Sequence, residues 1–262
     1  MNEQLDLWHC DPIDHVKGLI ENPAFKDYTS YVPEHVYIDD KGKVRIFDKM
    51  WTGDWWWDTQ VWLVFRKICK NYWQLKLPSS TMIALLILSL DKTQLTQFQG
   101  DKKAWLVYLT IGNISKNIWH QPLTHAMILV GYLPAAKLDC YNNATHSIQG
   151  YWLFHHCMGM IFGSLIKAGA EGVEMVCADG WVQDIYVILV AYMADFPEQC
   201  LVRCCKENRC LHCTVNPKDQ GSPFESPFHD KTEMLEILTK HQQGQDPPQF
   251  EKQGLCAVYN PF

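Results

Sequence analysis

The chain has 262 residues and a net charge of −6 at pH 7, with 47% hydrophobic and 20% charged residues. This composition is that of a globular protein able to bury a sizeable core, in one large domain or two small ones. The negative charge excludes a polycation that binds nucleic acid over its whole surface. We find no secretory signal and no apolar run near the ~20 residues that span a membrane.

The first 80 residues are rich in aromatic side chains and hold two signals of regular structure. The segment DPIDHVKGLIENPAF predicts a short helix, because Val16, Leu19 and Ile20 recur at helical spacing before Pro23. The segment HVYIDDKGKVRIF predicts a β-hairpin, since two β-rich runs flank Asp-Lys-Gly-Lys. Residues 1–80 are therefore interpreted as an aromatic-rich amino-terminal segment.

The segment WTGDWWWDTQ, which follows the hairpin, places four tryptophans within seven positions. Tryptophan rings most often pack against a neighbouring layer of the fold, which is one interpretation of the segment. The other interpretation is a surface on which nucleic-acid bases stack. The sequence leaves both open.

From residue 81 onward the pattern is that of a sheet with one long helix. Apolar runs of strand length recur, and one longer segment has an apolar face with a period of about 3.6 residues, ended by Gly169 and Gly172. Strands are predicted at Met82–Leu90, Ala104–Ile111, His125–Leu133, Val173–Cys177 and within Val182–Ala194, and the helix at Ser147–Ala168. A further helix is predicted near Asp230–His241, before a loose tail.

Two of the predicted strands end in a carboxylate. Asp91 follows the first strand and Asp195 follows the last. Three strands, a helix and a further strand is the order of the ribonuclease H-like fold, in which the first and fourth strands are neighbours in a mixed sheet. Residues 81–199 are thus predicted to form a ribonuclease H-like α/β core that brings the two carboxylates together.

Two carboxylates on neighbouring strands suit two-metal phosphoryl chemistry, which needs divalent ions ~3.5 to 4 Å apart. Asp91 and Asp195 would then hold Mg²⁺ or Mn²⁺, since Mg²⁺ needs few protein carboxylates. Asp179 is the alternative second carboxylate, although its Asp-Gly sequence also favours a hairpin turn. The competing interpretation is that these residues are only caps or turn residues at strand ends.

Residues 200–262 begin with a cluster of cysteines, CLVRCCKENRCLHC. The Cys210-x-x-Cys213 pair has the spacing of half a zinc site. Reduced buried thiols and a redox pair are the alternatives. The basic residues of this cluster could contact phosphate or simply face solvent. Further candidate zinc ligands are Cys204, Cys205, His212, His229 and His241, and the basic residues are Arg203, Lys206 and Arg209.

Five segments together resemble one known family. WTGDWWWDTQ, LSLDKTQL, GDKKAWLVYLTIGNI, GVEMVCADG and YMADFPEQCLVRCCKENRCLHC, in this order, are similar to transposases of Plavaka-type DNA transposons. These are fungal elements allied to the CACTA (EnSpm-like) group. The resemblance extends from about Leu7 to Phe262.

The resemblance implies a DDE/D-type transposase with a ribonuclease H-like core. Such an enzyme binds transposon ends in the nucleus, cuts DNA with two divalent ions and joins the end to target DNA, and it can act as an oligomer. Carried over by motif, Asp91 and Asp195 are the first and second catalytic carboxylates. Cys210 and Cys213 correspond to a zinc-type insertion that a histidine pair completes.

The sequence departs from the family pattern in three places. A third acidic residue and the histidine pair are expected beyond the equivalent of Phe262, and Glu236 is the one local stand-in. A zinc-finger region at the amino terminus is missing. Val61–Gln74 interrupts the run from the tryptophan motif to the first strand, which we interpret as a retained intron or an insertion.

Two functional hypotheses follow. The first is that the chain is a partial DDE/D transposase core that cleaves and joins DNA. The second is that it is an inactive transposon-derived fragment, at most a zinc-stabilised nucleic-acid-binding or structural module.

Overall fold

The structure is a computed structural model that describes residues 4–39, 41–70, 81–94, 103–223 and 225–258. Its strands are β1 (Trp8–His9), β2 (Val36–Tyr37), β3 (Arg45–Ile46), β4 (Thr81–Gln94), β5 (Lys103–Ile111), β6 (Ile128–Leu133), β7 (Val173–Val176) and β8 (Val182–Met193). Six of them form one mixed sheet in the order β1-β6-β5-β4-β8-β7, while β2 and β3 form a separate hairpin.

The α-helices range from one turn to eight turns in length. They are α1 (Pro12–Glu21), α2 (Asp54–Lys70), α3 (Lys116–Trp119), α4 (Asn143–Glu171), α5 (Phe196–Val202), α6 (Lys231–Gln242) and α7 (Pro248–Gln253). Short 3-10 helices lie at Pro23–Tyr28, Met50–Thr52, Pro122–Thr124 and Pro217–Asp219. Among the described residues, no helix combines the length and the apolarity needed to cross a membrane.

The central strand β4 is the strand on which the sheet is built. It pairs antiparallel with β5, which pairs antiparallel with β6. On its other side β4 pairs in parallel with β8, from Thr81 opposite Asp184 to Ser89 opposite Met193, with a register shift after Leu86. A parallel pair requires a long crossover between its strands, and α4 and β7 lie within that crossover.

Helices α1 and α4 cover one face of this sheet. The core there joins alternate β4 residues, Met82, Ala84, Leu86 and Leu88, to buried residues of both helices. The α4 residues that reach it recur at helical spacing: Phe154, Met158, Ile161, Phe162 and Leu165.

Gly169 lets α4 approach the sheet closely. A Cβ atom at this position would lie 2.7 Å from the carbonyl oxygen of Val187 on β8. Gly169 therefore lies inside the helix, and the sequence-based prediction that it ends the helix is wrong. The helix instead ends before Gly172, whose φ of +78° favours glycine.

Helix α2 packs on the opposite face of the sheet. Its Trp56 has no exposed surface and joins Ile83, Leu85 and Tyr186 in a second core. The Trp56 indole donates to Gln60 at 3.3 Å, and Gln60 donates to the Thr81 carbonyl at 2.7 Å. The β4 strand is thus buried on both faces, which explains its almost continuous apolar sequence.

Asn113 continues the ladder of β4 beyond the end of β5. Its side chain accepts a hydrogen bond from Leu85 N (2.8 Å) and donates to Ile83 O (2.9 Å) and Ser30 O (3.1 Å). The residue is fully buried. One amide group therefore satisfies backbone groups of the central strand that have no strand partner on that side.

Residues 254–258, which follow α7, pack against the cysteine region. Cys205 forms a β-bridge with Leu255, and Cys256 N donates to Cys204 O at 2.8 Å. Leu255 and Val258 are both buried. The prediction of a loose tail is therefore wrong for these residues. Their burial depends on contacts with residues that are remote in sequence, which apolar periodicity along the chain does not reveal.

The other predicted elements of the described residues are present with small shifts. The amino-terminal helix, the hairpin and the helix after Asp230 are confirmed, and the strand predicted from His125 begins at Ile128 because His125 closes a turn at φ +53°. Residues 61–70 continue α2, whereas residues 71–74 lie outside the described residues, so the intron interpretation stays a prediction. The three-part domain division also stays a prediction.

We predict that Asn113→Ala lowers the free energy of unfolding by about 2 to 4 kcal/mol, because it leaves buried backbone groups unsatisfied. Urea denaturation followed by circular dichroism measures this change. Asn117→Ala is the matched control, since Asn117 is exposed on α3. Equal stability of the two variants would contradict the proposed role of Asn113.

Candidate functional site

Asp91 and Asp195 lie at the same end of two neighbouring parallel strands. The parallel register ends with Ser89 opposite Met193, and each carboxylate follows two residues later. On its other side Asp91 is opposite Leu106 of β5. The sheet thus brings the two sequence-predicted carboxylates to one edge, at the carboxyl ends of β4 and β8.

Both side chains are held by local hydrogen bonds. The Thr93 hydroxyl donates to Asp91 Oδ2. Asp195 is the N-cap of α5, and its Oδ1 accepts from Glu198 N at 3.0 Å. The cap function that competed with catalysis in the sequence analysis is therefore real for Asp195.

Glu198 is a third carboxylate at this edge, and sequence reasoning missed it. The side chain is buried, with 8% of the residue exposed. Burial raises the pKa of its carboxyl group, and the negative charges of Asp195 and Asp91 raise it further. The Asp-x-x-Glu spacing was a visible signal, but it indicates only the start of a helix.

Two side chains of the sheet face Glu198 and favour its ionised form. The indole of Trp105 and the ammonium of Lys92 lower the Glu198 pKa, against the stronger effect of burial. Trp105 Nε1 is buried and has no hydrogen bond of normal geometry within the part of the chain that the structure describes. The Lys92 ammonium lies 4.8 Å from the centroid of the Trp105 ring.

Tyr192, near the end of β8, shares this acidic environment. Burial raises the pKa of its phenol, and the charges of Glu198 and Asp195 add to the rise. The phenol therefore stays protonated at neutral pH. The candidate site is an acidic edge formed by Asp91, Asp195 and Glu198, with Tyr192 beneath it.

Asp179 lies in the turn before β8, away from this edge. Its Oδ1 accepts from Trp181 N at 3.0 Å, and its charge acts on Tyr31 and Cys177. The 12 residues of β8 separate it from Asp195, which is ~40 Å of extended chain. The structure does not bring Asp179 together with Asp91.

Cys210 and Cys213 form a tight turn with adjacent thiols. The two sulfur atoms are 3.4 Å apart, and His212 N donates to Cys210 Sγ at 3.4 Å. The hydrogen bond from His212 N lowers the pKa of the Cys210 thiol, and donors from Cys213 add to this effect. The turn therefore favours the thiolate, which is the form that binds metal.

His229 lies beside this turn. Its Nε2 is 3.1 Å from Cys210 O, which makes Nε2 the protonated nitrogen of the neutral ring. Nδ1 is buried and has no hydrogen-bond partner among the described residues. Metal-binding histidines commonly use one nitrogen for a backbone carbonyl and the other for the metal. Even so, no three His, Cys, Asp or Glu residues in the described ranges are arranged to hold a metal ion.

The other two candidate cysteines face a different part of the interior. Cys204 Sγ is 3.1 Å from His155 Nε2, and Cys205 contacts Cys200. Burial raises the pKa of both the Cys204 and Cys205 thiols to about 12. None of the contacts described for either residue involves Cys210 or Cys213.

The basic residues of the cysteine region are engaged within the chain. Arg203 donates to Leu211 O at 2.8 Å, and Arg209 donates to Glu251 O at 3.2 Å. Lys206 forms a salt bridge of 2.8 Å with the Glu251 carboxylate. The Arg203 bond stays within the cysteine loop, whereas the bonds of Arg209 and Lys206 tie this loop to α7. Glu236, the stand-in for a third acidic residue, is exposed on α6.

The tryptophan motif is partly buried and partly exposed. Trp56 is fully buried and anchors α2, as packing predicts. Trp55 and Trp57 are 50% and 37% exposed. Packing in the core therefore accounts for only part of the motif.

Comparison with known proteins agrees with the resemblance noted in the sequence. A search of curated proteins found no match. A family model described as Plavaka transposase matches residues 1–262, the whole of the sequence. The chain therefore belongs to the Plavaka transposase family.

Proposed function

We propose that the chain carries the catalytic core of a DDE/D-type DNA transposase with a ribonuclease H-like fold, acting on DNA in the nucleus. The parallel β4–β8 register carries the proposal, because it brings Asp91 and Asp195 to one edge of the sheet. The order of meander, crossover and parallel strand supports the ribonuclease H-like assignment. Membership of a transposase family supports DNA as the substrate.

The residues at the acidic edge fit hard divalent cations. Asp91 and Asp195 offer carboxylate oxygens, and Mg²⁺ takes few protein carboxylates with several waters. When bound, two such ions activate the attacking oxygen and stabilise the leaving oxygen of a phosphodiester. The hydrogen bonds from Thr93 and Glu198 N hold the two carboxylates in fixed orientations.

Glu198 is the third acidic group of the proposed site. A buried carboxylate near two others is costly unless a cation neutralises the group. Lys92 and Trp105 offset part of that cost from one side. A divalent ion at the edge would offset the rest of the cost. We therefore propose Glu198 as the third acidic group in place of Glu236, which is exposed on α6.

We predict that Asp91→Asn and Asp195→Asn each lower Mg²⁺- or Mn²⁺-dependent cleavage of labelled transposon-end DNA about 100-fold or more. In Asp195→Asn the asparagine still serves as the N-cap of α5, so loss of the cap would not explain a loss of cleavage. Asp179→Asn is the matched control and should cleave normally. No cleavage by the unmodified chain would favour the inactive-fragment hypothesis, and cleavage insensitive to both changes would overturn the proposal.

We predict that Glu198→Gln also lowers cleavage strongly while the thermal midpoint of unfolding stays equal or rises, because it removes a buried charge and keeps the volume. Cleavage assays and thermal denaturation measure the two effects. Glu236→Gln is the control variant. A normal rate for Glu198→Gln would remove this residue from the proposed site.

We further propose that Cys210 and Cys213 bind Zn²⁺ and that the His229 ring moves to bring Nδ1 to the ion as a third ligand, since no three such residues of the described ranges are already arranged around an ion. The donor set fits a borderline-soft ion that prefers thiolate and imidazole. The lowered pKa of Cys210 supports metal binding at this turn. Zinc here would stabilise the loop between α5 and α6.

We predict about one zinc ion per purified chain, and its loss in Cys210→Ser, Cys213→Ser and His229→Gln. Elemental analysis after gel filtration measures the content. Cys140→Ser and His212→Gln are the controls, since both residues are exposed. A metal-free unmodified chain would end the zinc proposal.

A further inference from the structure

The hairpin of β2 and β3 carries a row of aromatic side chains on one face. The register pairs Tyr37 with Arg45, and its continuation sets His35 opposite Phe47, so these four side chains share a face. Trp57 of α2 lies against this row, with its ring centroid 4.8 Å from that of His35. We call these five residues the aromatic ribbon.

The rings of the aromatic ribbon are exposed. The exposed fraction is 62% for Phe47, 42% for Tyr37 and 37% for Trp57. Trp56, the sequence neighbour of Trp57, has none. A contiguous exposed row of this kind indicates a binding surface, whereas single exposed rings do not.

Arg45 supports the Phe47 ring of the aromatic ribbon. Its Nη2 donates to Thr52 O at 2.9 Å, and its Nη1 pairs with Asp54. The guanidinium carbon lies 4.6 Å from the centroid of the Phe47 ring. Arg45 therefore supports one face of Phe47 and leaves the rest of the ring open. Rings ordered in advance lose little entropy when a ligand stacks on them.

The hairpin that carries the aromatic ribbon also has two exposed lysines in its turn, Lys41 and Lys43. Asp39 Oδ1 accepts from Lys43 N and Val44 N, which directs this carboxylate oxygen toward the backbone of the turn. Asp54 is paired with Arg45, as described above. The Asp48 carboxylate forms a salt bridge with the Lys49 ammonium, with 3.5 Å between Oδ2 and Nζ. The exposed lysines of the turn, Lys41 and Lys43, have no ion pair among the described residues. The hairpin that carries the open ring faces therefore also carries two exposed cationic side chains, which a phosphate could contact.

We propose that the aromatic ribbon binds single-stranded DNA, with unpaired bases stacked on Phe47, Tyr37 and Trp57 and phosphates beside Lys41 and Lys43. Base–aromatic stacking tolerates any sequence. The bases of a duplex already stack on one another, so the ribbon selects unpaired DNA. This inference rests on the proposed function, because unpaired DNA at a cut end is relevant only if the chain acts on transposon DNA.

The test is fluorescence anisotropy of the full chain with a labelled oligothymidine and with a blunt duplex of equal length. We predict that the chain binds the single strand more tightly than the duplex. Phe47→Ala and Tyr37→Ala should each weaken single-strand binding about 5- to 150-fold, the range for loss of one stacked base. Phe47→Tyr keeps a ring and should bind normally.

Two controls make the result decisive. Trp181→Ala removes a 73% exposed ring outside the ribbon and should leave binding unchanged. Binding is measured without divalent ions, so it does not require cleavage, and a chain that binds the single strand but does not cut transposon-end DNA would support this proposal while the proposed function fails. Absence of single-strand binding, or full binding by both Phe47→Ala and Tyr37→Ala, would overturn the proposal. Full binding by both variants would instead point to a protein partner for the aromatic ribbon.

Discussion

The parallel pairing of β4 with β8 is the constraint on which the rest of the structure depends. These strands are far apart in sequence, and a parallel pair can form only across a long crossover. The crossover supplies α4, which covers one face of the pair, and Gly169 lets that helix come close to β8. The same pairing aligns the strand ends that carry Asp91 and Asp195. One ladder therefore determines both the core and the candidate site.

Burial on both faces explains why charge collects at the end of β4. The β4 residues Met82, Ala84, Leu86, Leu88 and Leu90 face the α1–α4 core, and Ile83 and Leu85 face the core around Trp56. An unpaired charge at these positions would therefore be buried on either face. Asp91 is the first residue at which the strand is exposed again. The carboxylates are thus confined to the sheet edge, where a substrate and cations can reach them.

The sequence predicted the elements better than their contacts. Apolar runs and helical periodicity identify β4, β8 and α4 because burial requires those patterns. No pattern marks Asn113, whose role depends on β5 ending where β4 still needs partners. Glu198 was missed because its surroundings also depend on tertiary contacts. Its spacing from Asp195 indicates the start of a helix and does not show which groups its side chain faces. The packed tail depends on contacts with Cys204 and Cys205 that are remote in sequence.

The cap and the catalytic interpretation of Asp195 are compatible. The Glu198 N–H binds Oδ1 alone, and it orients the carboxylate as the first turn of α5 forms. The same turn carries the Glu198 side chain toward the ends of β4 and β8, where the charges of Asp195 and Asp91 act on it. A helix cap normally gives stability only. Here it also fixes the relative positions of two acidic groups, so the residue spacing that builds the helix is the spacing that builds the site.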